Sequence, residues 1–143
     1  MCEMIKSPNN TMHFAAWSLR LGFGIMYLYS GYDLIAHPTA WHWAVPLWLR
    51  TTIMYAVDLN TYLQFQGAIE IVFAVVLLAW FLKPIWVKWV AFLSVIEFGA
   101  ILFLAFLPWS EANFLITFRD IGLLGGAIAL VIISRTNYGS SAR

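Results

Sequence analysis

The chain has 143 residues, of which 62% are hydrophobic and only 10% charged. A soluble domain of this length carries about a quarter charged residues and could not bury so much apolar surface in its own core, whereas a bilayer accepts apolar outward faces. The net charge of +1 excludes the basic patch that nucleic-acid binding needs, and one cysteine, Cys2, excludes an internal disulfide or a C-x-x-C centre.

The first predicted element is an apolar helix over about residues 14–35. It is too long for a signal-peptide core and has no small-residue cleavage pattern after it, so it is read as retained. Three more follow, over about 62–82, 85–107 and 114–133. Each approaches the ~20 residues that cross ~30 Å of hydrocarbon. Lys83-Pro84 separates the second from the third, and Pro108 with Ser110-Glu111-Ala112-Asn113 separates the third from the fourth. Short connections make neighbouring helices antiparallel. The expected fold is therefore all-α: one transmembrane domain over residues 1–143, an antiparallel four-helix bundle. No internal repeat or low-complexity segment is visible.

The connection between the first two spans reads AWHWAVPLWLRTTIMYAVDLN, which is apolar and aromatic where a free loop would be polar. It is expected to lie in the interface, either as a lipid-facing anchor or as a lid over a cavity between the helices. Lys6, Lys83, Lys88, Arg135 and Arg143 fall on one side of a four-span topology, and only Arg50 on the other. Excess basic residues mark the cytoplasmic side. A multi-pass protein of the cell inner membrane with both termini cytoplasmic is expected.

Six charged residues fall inside the spans: Arg20, Asp33, Glu70, Glu97, Arg119 and Asp120. Each costs roughly 2.5 kcal/mol or more if left unpaired in hydrocarbon, so each needs a partner, a second subunit or a wet cavity. Helical spacing puts Arg20, Gly24, Tyr27 and Gly31 near one stripe, Gln66 with Glu70 on one face, and Ser94 with Glu97 on another. Depth along the spans suggests an Arg119–Glu70 pair, and an Arg20 that reaches toward Glu97 or Glu70. Arg20, Glu70, Glu97, Arg119 and Asp120 are the candidates for ligand binding or proton handling. A network that only holds the bundle together is the alternative. Gly122 and Gly126 form a G-x-x-x-G, and Ser18 with Gly22 a small-xxx-small pair; both are expected to pack within the chain.

Other motifs carry no chemistry. Gly22-Phe23-Gly24 resembles a dinucleotide loop but follows no strand. His13, His37 and His42 fall outside the spans, which argues against a haem held between them or a metal site.

The segments QGAIEIVFAVVLL (66–78), FRDIGLLGGAIALVI (118–132) and RLGFGIMYLYSGYDLI (20–35) resemble those of the DoxX/DoxD-like family of small four-helix membrane proteins. Glu70 and the Arg119-Asp120 pair carry most of that likeness, which extends over about residues 14–133. The resemblance implies association with membrane redox systems, including a subunit of a thiosulfate:quinone oxidoreductase. The expected function is thus a membrane subunit of a quinone- or thiol/sulfur-linked oxidoreductase, partnered by the lipid bilayer and other membrane or redox subunits. A quinone would be its cofactor, with no metal and no nucleic acid. A non-catalytic assembly subunit and a small-solute or proton carrier are the alternatives.

Overall fold

The computed structural model describes residues 8–105 and 114–140. All its regular elements there are helical: α1 (Pro8–Ala36), a 3₁₀ helix (Pro38–Ala44), α2 (Leu47–Met54), α3 (Leu59–Leu78), α4 (Pro84–Ala105) and α5 (Phe114–Ser140). Two stretches, Leu59–Leu78 and Pro84–Leu104, are long and apolar enough to cross a membrane. The expected third break, at Pro108 and Ser110–Asn113, lies outside the described residues.

Local chemistry sets the helix ends. Asp58 caps α3: its Oδ2 accepts from the Asn60 and Thr61 amides at 3.0 and 3.3 Å, satisfying donors that the first turn leaves open. The helix therefore starts three residues before the expected 62. It also ends at Leu78, short of the expected 82, because Ala79 turns extended (φ −72°, ψ 111°). Pro84 then opens α4, where its missing N–H is no loss.

The four long helices form a ring in which α1 packs chiefly on α3 and α4 on α5, with lighter contacts of α1 on α5 and α3 on α4. The α1–α3 contact is backbone to backbone. A Cβ added to Gly31 would sit 2.7 Å from the Gly67 carbonyl, and one added to Gly67 would sit 2.7 Å from the Gly31 carbonyl. Gly24 abuts Leu78 in the same seam. Small residues allow this approach. The expected Ser18–Gly22 contact is absent from that seam: Gly22 has open space around it, and Ser18 Oγ donates to the Phe14 carbonyl of its own helix. Of the expected G-x-x-x-G pair in α5, Gly126 packs inward against Phe23, while Gly122 faces open space.

The core runs down the bundle axis through Phe23, Tyr27, Leu77, Val90, Phe98 and Leu130. Aromatic rings cross it, with Tyr27 stacked on Phe98 at 5.9 Å and edge-on to Phe73 at 5.5 Å. Large apolar side chains point outward from every long helix, among them Ile25 and Tyr29, Phe65 and Val72, Trp89 and Phe103, Ile121 and Ile132. A smaller cluster of Leu34, Val45, Leu59 and Leu63 fastens the 38–54 segment over one end of the bundle. The segment thus folds back onto α1 and α3, as a lid would, while Trp43, Leu47 and Trp48 stay exposed, as on a lipid-facing anchor.

A polar centre beneath an aromatic roof

Each long helix delivers polar side chains to the same level. The buried stripe of α3 (Leu63, Gly67, Glu70, Ala74, Leu77) recurs every three or four residues and carries Glu70 into the bundle, with Gln66 one turn away. Glu97 on α4 accepts two hydrogen bonds, one from the Tyr27 hydroxyl of α1 at 2.7 Å and one from the Gln66 amide of α3 at 2.6 Å. Three helices are thereby tied through one carboxyl group. Glu70 is 7% exposed; Ser30 and Gln66 are its polar neighbours. Its Oε2 is buried without a hydrogen-bond partner among the described residues.

Asp120 on α5 is fully buried. Its Oδ1 accepts from Arg119 Nε at 2.9 Å, and its Oδ2 has no partner among the described residues. This corrects the expected Arg119–Glu70 pair. A residue and its helical successor diverge by about 100°, but the arginine is long enough to turn back on its neighbour. Arg119 acts on Glu70 only through space, as Glu70 does with Glu97 and Glu97 with Asp120. The three carboxyl groups and one guanidinium form one electrostatic unit, in which the acids outnumber the base by two.

Arg20 is elsewhere. Its Nε and Nη2 donate to the carbonyls of Leu77 and Ala79 at 2.9 Å each, and its guanidinium lies 4.0 Å over the Trp17 ring. It caps the negative end of α3, where the last carbonyls lack intrahelical partners. The expectation that it reaches Glu70 or Glu97 fails because these carbonyls are nearer and also accept. Asp33 is likewise a fastener. It holds His37 Nδ1 at 3.0 Å and Trp41 Nε1 at 2.8 Å, tying the roof to α1. His42, bonded to Asn60 at 2.8 Å, ties it to α3.

Between α3 and α4, under this roof, lies a cavity of about 560 Å³. Ser30, Gln66, Glu70 and Glu97 form its polar floor; Trp41, Trp43, Val45 and Arg50 belong to the roof; Phe73, Leu93, Ile96 and Ile101 line the walls. The volume falls in the range of small-molecule sites, about 300–1,000 Å³. Leu93 and Ile96 are also outwardly exposed, so the cavity reaches the outer surface between α3 and α4.

Of the five candidate residues, Glu70 and Glu97 line the cavity, Asp120 and Arg119 adjoin Glu97 and Glu70 electrostatically, and Arg20 is apart. Sequence reasoning missed Arg50, which it counted only as a basic residue outside the spans. Arg50 Nη2 donates to the His42 carbonyl, and its Nε is buried without a partner among the described residues. A lone arginine within AVPLWLRTTIM was the available signal. Comparison of the chain with family models, with characterised proteins and with solved structures finds no match.

Proposed function

We propose that the chain is a four-pass membrane protein, a subunit of a redox system, whose cavity takes a quinone head group from the bilayer. The observation that carries the reading is the cavity itself. It has an apolar opening between α3 and α4, with Arg50 in its roof and Glu70 in its floor; Arg50 Nε and Glu70 Oε2 are buried and have no hydrogen-bond partner among the described residues. The apolar outward faces of all four long helices support four crossings. The basic-residue bias supports cytoplasmic termini in an inner membrane, and kinship with the DoxX/DoxD-like family is part of the same proposal.

The residues suit a flat ring bearing oxygens on opposite edges. Aromatic and branched walls accept the ring face, the half-buried Arg50 donates to one oxygen, and a carboxyl group exchanges a proton with a hydroxyl. A quinone bound there would supply two-electron, two-proton chemistry. Arg50 orients an oxygen and Glu70 holds or gives up the proton. Glu97, fixed as an acceptor by Tyr27 and Gln66, gives that proton a next station. With a single cysteine in the chain, any dithiol step belongs to a partner subunit.

The test is extraction in mild detergent followed by mass spectrometry of the lipid-soluble molecules retained. Quinone retained by the wild type and depleted in Glu70→Gln supports the proposal. Equal retention, or none in either, counts against it. Two carboxyl groups in the floor, Glu70 and Glu97, favour a second reading, a proton or small-cation carrier. Flux into liposomes carrying the chain alone, abolished by Glu70→Gln and without bound quinone, would select it.

A further inference from the structure

The side chain of Arg119 is 61% exposed on the outside of α5 although its Nε is bonded to the fully buried Asp120. It follows Phe114, the first described residue of the helix, by five positions, about 8 Å of rise. In water such exposure needs no explanation. Inside a span, a guanidinium turned toward lipid costs several kcal/mol. The residues beside it are small. Gly122, one turn on, and Gly125, three positions further, have nothing within 4 Å of where a Cβ would stand, and exposed Ile121, Ile128 and Ile132 flank them. Glycines on an outward face open a channel for the backbone of another helix. Here that channel runs up to a cation whose fork, among the described residues, is engaged only through Nε.

We infer that this face of α5 docks a transmembrane helix of a different protein chain, bearing a carboxylate at the level of Arg119. The partner's carboxylate completes a forked hydrogen bond to the guanidinium while its backbone lies along Gly122 and Gly125. Among the described residues, no carboxylate within the spans of a second copy is free to do this. Glu70 and Asp120 are buried, both oxygens of Glu97 are bonded within the bundle, and Asp33 already holds His37 and Trp41. The inference rests on the membrane reading above and gives the partner subunit a place and a chemistry.

The experiment uses the full chain in lipid vesicles with synthetic Leu/Ala transmembrane peptides. One peptide carries a single Glu at the depth of Arg119, and its control carries Gln there. Association is read by energy transfer between labels. The Glu peptide should associate at least fivefold more tightly than the Gln peptide, and Arg119→Gln should erase the difference. Gly122→Leu should weaken both peptides while leaving the circular dichroism, the melting temperature and retained quinone unchanged, since nothing in the bundle occupies that space. Equal association of the two peptides overturns the inference and leaves Arg119 extended to the head groups. Energy transfer between copies of the chain that Gly122→Leu abolishes also overturns it, in favour of a homodimer. Absence of quinone in the wild type would sink the cavity reading without touching this test.

Discussion

Replacing Gly67 with alanine should push α1 away from α3 and carry Glu70 with it. The new Cβ would stand 2.7 Å from the Gly31 carbonyl oxygen, 2.9 Å from Leu34 Cβ and 3.0 Å from Ile35 Cγ1. An ordinary carbon–oxygen contact is about 3.3 Å, so the helices must part by about 0.6 Å. Neither a backbone oxygen nor a Cβ can rotate aside. Overpacking of this kind costs about 1–3 kcal/mol. The better helix propensity of alanine returns about 0.5–1 kcal/mol, so a net loss of about 1–2 kcal/mol is expected. Gly122→Ala is the matched control, because nothing lies within 4 Å of its Cβ position; it keeps only the propensity gain. Both variants would be unfolded in mixed micelles and followed by far-ultraviolet circular dichroism. A Gly67→Ala protein as stable as Gly122→Ala would refute the backbone-to-backbone seam.

Arg20→Lys should destabilise almost as much as Arg20→Ala, by about 1.5–3 kcal/mol, because an ammonium cannot fork to the Leu77 and Ala79 carbonyls as the guanidinium does; thermal melts of both variants check this, and full rescue by lysine would show that charge alone matters. Tyr27→Phe removes one of the two donors to Glu97 and should cost about 1–3 kcal/mol, while Tyr29→Phe, on an exposed side chain, should be neutral. For topology, in a Cys2→Ser background, a cysteine at Thr39 should react with an impermeant thiol reagent on intact cells and one at Ser140 should stay silent. The reverse pattern would overturn the proposed orientation.

The all-helical fold was legible because apolar runs near the length of a bilayer crossing, broken by Lys83-Pro84, admit little else. Lengths at the ends were less so. The Asp58 cap and the Arg20 contacts that accompany the end of α3 depend on side chains whose roles in a helix terminus look, in sequence, like any other polar residue near a span. The stripe of Gly24, Tyr27 and Gly31 was readable from its spacing, and all three are buried. Charge pairing was not. Depth along separate helices suggested Arg119 with Glu70, but the reach of an arginine side chain lets it satisfy Asp120 next door. Arg50 was invisible as a site residue because its role depends on the roof folding back over α1 and α3, a long-range packing event. Asp33 shows the converse. A charge within a predicted span reads as functional, yet at the end of α1 it fastens the roof through His37 and Trp41.

The most direct test of the account is equilibrium binding of a short-tailed benzoquinone to the protein in lipid nanodiscs, read by quenching of tryptophan fluorescence, since Trp41 and Trp43 line the cavity. The account predicts saturable one-to-one binding that weakens at least tenfold, about 1.4 kcal/mol, in Arg50→Ala and in Glu70→Gln, and that is unchanged in Arg20→Lys. Quenching that rises linearly with quinone, as partition into lipid does, or that is the same in all three variants, would contradict it.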